Sequence, residues 1–489
     1  MSTLDPSPDE FREWGTAAID AIAQYLGSVG EPPLYPRTSS KEIRHRLKEV
    51  LGKDGTPFSE LLDIFNDTVI PLTRKNGHPR MFGYVQSPGA SLGIMADLLA
   101  SGINANLTAW RSAPSPVDLE RMTIDALKQI LGVDPNAAGL FVSGGSMANL
   151  AALAAARRAK AGPDVLTCGA RSSSKGLTVY ASVEAHHSIA KAAALLGIGS
   201  DNVRQIPIDD AFRIRIDQLR KTIADDIAAG HQPFCVVANA GTVSTGAVDP
   251  LEEVAEVARE FGLWMHVDAC YGGFAIMAPS VRHLFAGLSK ADSIALDPHK
   301  WLYAPMDCGC VLYRDPAAAR NTFAHDAEYT RVMEQQDDEA FAFWDYGPEL
   351  SRRFRALKVW MILKGAGTTA LSQAIESNIA CARHFAELVR SSDDFEMLAP
   401  VELSIFCFRY WPSSLRKTSE NSEDDTNRKL DEFNERLLVA LQRDGSSYLS
   451  NAFIGGRFAL RGCVLNYRTT KRDMEILLDD LRRVAETID

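Results

Sequence analysis

The sequence has no CxxC pair and no Cys/His cluster at zinc-ligand spacing. Its 8 cysteines are scattered singly apart from Cys308 and Cys310, so neither a disulfide framework nor a thiolate metal site is expected, and the thiols read as reduced and mostly buried. Long apolar runs are also missing: none free of charge approaches the ~18 residues of a membrane span. The opening residues MSTLDPSPDEFREWG are acidic and carry no apolar leader core, which points to the cytoplasm with no membrane partner. Basic charge is in deficit, with 52 Lys plus Arg against 63 Asp plus Glu and a formal net charge of -11. Binding to a phosphate backbone needs a basic surface, so nucleic acid is not an expected partner. No Walker A loop, no GxGxxG fingerprint and no internal repeat occurs.

What remains is an ordinary globular composition, 46% hydrophobic and 24% charged over 489 residues, about 3 times the 150-residue prior for one domain. Pro8 to about Gly52 reads as two charged amphipathic helices around the EPPLYP turn. The apolar face of the first (Phe11, Trp14, Ile19, Ile22, Leu26) is too thin to form a core alone and predicts packing against a second subunit. From about Leu131 short apolar runs alternate with helical patterns, the signature of an α/β domain with a mainly parallel sheet. The expected strands are Gly139–Ser143, Leu177–Ser182, Phe234–Ala240, Leu263–Val267, Ser293–Leu296 and Gly309–Tyr313. The expected helices are Ser146–Lys160, His187–Leu196 and Leu251–Phe261. A long helical stretch follows from Arg352, then helices near Ala370–Ser391 and Asp431–Arg443, with the polar segment Ser413–Asn427 read as an exposed loop.

Three strand ends carry chemistry. Ser143-Gly144-Gly145-Ser146 lies between a strand and an Ala-rich helix, where a glycine turn and free N–H groups suit an anion such as phosphate. In LWMHVDACYGG an apolar strand runs into Asp268, a carboxylate that is costly to bury without a cation or hydrogen-bond donors. In LDPHKWLYAPMDCG, Lys300 stands beside His299, 32 positions after Asp268. Each alone has a structural explanation, as a turn, a cap or a solvated surface group. Together they are the parts that hold pyridoxal 5'-phosphate: a lysine to form an imine with its aldehyde, a carboxylate for the pyridine nitrogen and a helix start for the phosphate.

The motifs FVSGGSMANL, ASVEAHHSI, ANAGTVSTGAVDP, HVDACYGGF and DPHKWLYAPMDCG stand in the order found in the group II pyridoxal-phosphate-dependent amino acid decarboxylases. The chain resembles that family from about Phe58 to Lys364 and more loosely to its C-terminus, and its HPRMFGYV and LTAWRSAPSPVDLE segments are most similar to the aromatic-amino-acid branch. The resemblance implies the α/β architecture of a fold type I cofactor enzyme. Residues 1–75 would be a helical dimerisation segment, 76–367 the large cofactor domain and 368–489 a small α+β domain. A homodimer is expected, with an amino acid as substrate and no metal.

Position by position, the resemblance makes Lys300 the Schiff-base lysine with His299 beside it, Asp268 the partner of the pyridine nitrogen and His186 the histidine over the ring. His187 reads better as a polar helix start. Gly145 and Ser146 would bind phosphate, Thr242 would touch the cofactor and Ala269 would lie near the ring. Phe82, Tyr84 and Trp110 are candidates for an aromatic substrate pocket. Family decarboxylases reprotonate the substrate carbon with a loop tyrosine, and counting back from Arg352 that position holds Phe343, as in the aldehyde synthases of the family, which intercept the reaction with dioxygen. Tyr329 and Tyr346 lie nearby as substitutes. Decarboxylation of tyrosine, tryptophan, dopa or phenylalanine to the amine is the leading expectation, with the aldehyde synthase as alternative.

Overall fold

The computed structural model describes residues 4–47, 50, 52, 54–169, 175–324, 340–416 and 423–488. Seven strands form the main sheet: β1 (Ala138–Val142), β2 (Leu177–Ser182), β3 (Val203–Ile206), β4 (Gln232–Asn239), β5 (Trp264–Asp268), β6 (Ser293–Leu296) and β7 (Gly309–Tyr313). Their order is β1-β7-β6-β5-β4-β2-β3. β2 to β6 pair in parallel, and β7 runs against both of its neighbours. Central strands such as β5 are buried along their whole length, which is why they read as continuous apolar runs rather than alternating ones.

Five of the six expected α/β strand assignments fall within one residue of these bounds; β4 begins two residues earlier than expected. Several elements were not named from the sequence, among them one strand of the main sheet and the helix beside it. β3 is a four-residue edge strand of mixed polarity, VRQI, partly exposed, and the helix Ile216–Ala228 packs beside it. Helix Gly145–Ala161 lies across the sheet on a face of small residues, with Ala148, Ala151, Ala152 and Ala155 buried.

A second, antiparallel sheet, β10-β11-β9-β8, is built from β8 (Phe395–Met397), β9 (Ile405–Tyr410), β10 (Ser450–Ile454) and β11 (Arg457–Cys463). Its core holds Phe385, Phe406, Phe408, Leu437, Leu460 and Leu477. The helix Ala356–Arg390 joins the two parts and bends at Gly367, whose φ of 77° no branched side chain tolerates cheaply. The polar stretch expected to be a loop through Asn427 is corrected: the helix there begins at Glu423 and runs to Asp444. Its first turns are held on the solvent side by Asp425–Lys429 at 2.7 Å and Arg428–Glu432 at 2.9 Å, pairs four residues apart that polar composition alone does not announce.

The N-terminal helix Pro8–Ser28 starts in a capping box between Ser7 and Glu10. Trp14 stacks on Phe58 at 5.2 Å, yet Phe11 and Ile19 stay exposed, as do Leu61 and Ile64 and the face Leu92, Leu98, Leu99, Ile103 of the helix Ser91–Ile103. Among the described residues no helix is long and apolar enough to cross a membrane.

Candidate active site

Parallel strands end on a common edge, and ligands collect there. β1 runs through Ser143 and Gly144 into the helix beginning at Gly145, β2 delivers His186, β4 delivers Asn239, β5 ends at Asp268, and β6 is followed by Asp297-Pro298-His299-Lys300. These side chains meet around a cavity of about 580 Å³, closed on the far side by Tyr84, Ser450, Asn451, Ala452 and Arg461. The glycines are required by contact. A Cβ on Gly145 would lie 2.9 Å from Asp297 Oδ2, and one on Gly309 would lie 2.5 Å from Gly144 Cα, so β7 can approach the turn only as glycine. The first N–H groups of the helix therefore face the cavity without an intrahelical acceptor.

Asp268 is the best-supported charge in the site. Its Oδ2 accepts from Asn149 Nδ2 at 2.9 Å and its Oδ1 from the Cys270 N–H at 3.1 Å. Burial opposes its ionisation, but His266, these two donors and Lys300 outweigh that and hold its carboxyl below the ordinary value. A network runs outward from it. Asn149 Nδ2 also donates to Ser188 Oγ at 2.9 Å, and the Asn149 carbonyl accepts from His266 Nε2 at 2.9 Å, while His266 Nδ1 is 2.9 Å from Ser293 Oγ. Asp268 as an acceptor fixes the Asn149 amide, and Asn149 in turn fixes the proton of His266 on Nε2.

At the other end, Ser188 Oγ lies 2.7 Å from His186 Nδ1 and the Ser188 N–H donates to the same atom at 3.3 Å. Nδ1 is thus an acceptor and Nε2 carries the proton. Burial lowers the pKa of His186 against the pull of Asp268, which keeps the ring neutral near pH 7. Lys300 Nζ pairs with Asp297 Oδ2 at 2.8 Å. Burial works against its ammonium, and Asp297 overrides it, raising the pKa above the ordinary lysine value. His299 Nδ1 sits 2.7 Å from the Cys308 carbonyl, with Nε2 3.7 Å from Asp297.

Lys300, Asp268, His186, His299, Gly145, Ser146 and Tyr84 thus come together around the cavity, while the other sequence candidates among the described residues do not line it. Ala269 is fully buried and does not line the cavity, whereas its neighbours Asp268 and Cys270 do. Thr242 turns its hydroxyl to Thr245 at 3.0 Å and to the Ala247 N–H, while its neighbours Gly241 and Val243 line the wall. Phe82 belongs to the core under the second sheet, against Phe406. Trp110 donates to Asp118 at 2.9 Å, and Tyr346 stacks on Phe341, both outside the cavity. Phe343, expected on a catalytic loop, is fully buried in a single turn, with the Arg352 guanidinium 4.2 Å from its ring centre. Tyr329 lies outside the described residues. His187 is exposed at a helix start, as its reading had it.

Sequence reasoning missed Asn149, Asp297, Cys270 and Arg461. Asn149 was findable, four residues after Gly145 and so on the same helix face, and Asp297 stands inside the DPHKW segment itself. Nothing in the sequence marks Arg461, which arrives from β11.

A glycine-lined helix start, a carboxylate held ionised at the end of the central strand and a lysine at the next define a site for pyridoxal phosphate. The residues fit that group in size as well as chemistry, since about 580 Å³ lies within the usual range for small-molecule sites. Residues 41–411 match the family model of the pyridoxal-dependent decarboxylase conserved domain. The chain belongs to this family and is a pyridoxal-phosphate-dependent carboxy-lyase. It is 36% identical over 485 residues to an aromatic-L-amino-acid decarboxylase of Bacillus atrophaeus, covering 99% of this chain and 97% of that one. It is 32% identical over 466 residues to a phenylacetaldehyde synthase of a Rosa hybrid cultivar, covering 94% and 90%. Its fold matches the crystal structure of Oryza sativa TDC with PLP and tryptamine at a TM-score of 0.90 and 29% identity, covering 100% of this chain and 99% of that one.

Proposed function

We propose that the protein decarboxylates an aromatic L-amino acid to its amine, with Lys300 as the point of cofactor attachment. The observation that carries the reading is the convergence of Lys300, Asp268 and His186 on one cavity at the glycine-lined helix start. Bound pyridoxal phosphate supplies an aldehyde that captures amines and a ring that accepts the electron pair left by departing carbon dioxide. Asp268, ionised and doubly hydrogen-bonded, holds a proton at the pyridine nitrogen. Neutral His186, at the cavity wall with its proton on Nε2, would supply a hydrogen-bond donor to the cofactor or to the substrate carboxylate. The N–H groups of Gly145 and Ser146 bind the phosphate.

An aromatic side chain is supported by the relatives' names and by Arg461. That guanidinium is already committed, donating to the Val243 and Ser244 carbonyls and, at 3.3 Å each, to the Tyr84 carbonyl and Ser450 Oγ. It ties the second sheet to the first rather than waiting for an acidic substrate. Tyr84, Val85, Val243 and Ala452 line the same part of the cavity. Aldehyde formation with dioxygen is the second reading, supported by the phenylacetaldehyde synthase relative.

The same reading takes residues 1–75 as a dimerisation arm, 76–367 as the cofactor domain and 368–489 as the small domain. It pairs the exposed apolar faces of the helices Pro8–Ser28 and Ser91–Ile103 with a second copy of the chain, and it places the protein in the cytoplasm, where its 8 free thiols would stay reduced. The test is a panel of amino acids given to cofactor-loaded protein. Release of carbon dioxide from tyrosine, tryptophan, dopa or phenylalanine, with none from glutamate or aspartate, is expected. Preference for an acidic substrate would overturn the assignment.

A further inference from the structure

Asp297 is the one acidic group at the site that the reading above leaves without a task. It follows the last residue of β6, its side chain is 4% exposed, and Oδ2 holds Lys300 Nζ at 2.8 Å. Its other oxygen, Oδ1, is buried with no hydrogen-bond partner. The carboxylate also flanks the phosphate cradle: a Cβ on Gly144 would lie 3.8 Å from Oδ1 and one on Gly145 2.9 Å from Oδ2. One demand falls on this group. Lys300 as an ammonium has no lone pair with which to attack an aldehyde, so a base must take its proton.

Asp297 is the acceptor held at hydrogen-bond distance from the Lys300 ammonium, at 2.8 Å. Asp268 is engaged by Asn149 and Cys270. The Cys270 thiol is pushed well up by burial. His299 uses Nδ1 at the Cys308 carbonyl and keeps Nε2 3.7 Å from Asp297, and His186 is tied through Nδ1 to Ser188.

We propose that Asp297 is a catalytic residue of cofactor loading: it takes the proton that frees the Lys300 amine. The inference rests on Lys300 being the attachment point. The step balances without an outside reagent. One ammonium proton passes to Asp297 Oδ2, the nitrogen lone pair forms the bond to the aldehyde carbon, and the aldehyde oxygen leaves as water with the two remaining N–H hydrogens. Ammonium, carboxylate and aldehyde become a C=N bond, water and a carboxylic acid.

Infrared difference spectra of the full chain, cofactor-loaded minus unloaded, read the proton directly. A carbonyl stretch of a protonated carboxyl group, shifted in D2O, is expected in the wild type and absent in the isosteric Asp297→Asn. In stopped-flow absorbance, formation of the C=N bond should slow by at least about tenfold in Asp297→Asn, the low end of what a positioned general base contributes, and should be accelerated there by added imidazole buffer. Borohydride reduction with peptide mapping separates the two layers of the argument. Attachment at Lys300 without the carboxyl band, or with an unchanged rate in Asp297→Asn, overturns the role of Asp297 alone. Attachment at another residue overturns the Lys300 assignment and this inference with it. If Asp297→Asn does not fold, the wild-type band decides by itself.

Discussion

Asn149 donates one amide hydrogen to Asp268 at 2.9 Å and accepts at its carbonyl from His266 Nε2, also at 2.9 Å. One side chain thereby supports the charge at the end of β5 and fixes a buried imidazole behind it. Asn149→Ala removes a donor from Asp268 and leaves the His266 N–H unpaired, costing ~1–3 kcal/mol of stability for the unmet buried group. Urea denaturation of the apo protein should show that loss, and equilibrium dialysis should show weaker cofactor binding. Unchanged affinity would mean that Asp268 is held by other groups.

Asp268→Ala removes the anion expected at the pyridine nitrogen. Without it the ring nitrogen of bound cofactor would stay unprotonated and a weaker electron sink, so turnover, read as carbon dioxide release, should fall by at least about a hundredfold. Near-normal kcat in the loaded variant would remove Asp268 from this role.

Phe343→Tyr tests the loop-tyrosine reading directly. The ring at 343 is fully buried with Arg352 4.2 Å from its centre, so an added hydroxyl has no solvent to meet and should cost ~1–3 kcal/mol of stability. The ratio of amine to aldehyde should not move. A switch in product would show that residue 343 reaches the substrate after all.

Acid should destabilise the fold in a defined window. Burial holds the pKa of His266 to about 4 and that of His78 to about 4 as well, against ~6.5 in an unfolded chain. Both pKa values are depressed on folding, so the stability is complete above 6.5 and is lost as pH falls toward 4. Each histidine should cost ~2 kcal/mol by pH 5. Denaturation midpoints measured between pH 7.5 and 5 check this, and His78→Gln should flatten the slope; equal midpoints across the range would contradict it.

Leu98→Lys with Leu99→Lys places two charges on the exposed face of Ser91–Ile103. Multi-angle light scattering should report a shift from dimer to monomer, because unpaired charge at an apolar interface is costly to bury. An unchanged mass would free that face from the proposed interface.

The strands of the main sheet and three of the site's chemical groups were legible because each rests on local pattern: buried strands are apolar runs, and a cradle, a strand-end carboxylate and a lysine all sit at strand ends. What was not legible came from distance. Arg461 enters from β11 and meets carbonyls more than two hundred residues earlier in the chain. Phe82, Trp110 and Phe343 are aromatic and near the right motifs, but packing partners in the cores decide where such rings go. Ala269 is fully buried and does not line the cavity, although Asp268 and Cys270 on either side of it do.

The most direct test of the whole account is a product balance. Cofactor-loaded protein is given the preferred aromatic amino acid in air, and carbon dioxide, amine, ammonia and hydrogen peroxide are followed together. The account predicts one amine for each carbon dioxide, with neither peroxide nor ammonia above background. Aldehyde with peroxide and ammonia in matching amounts would contradict it and make the protein an aldehyde synthase.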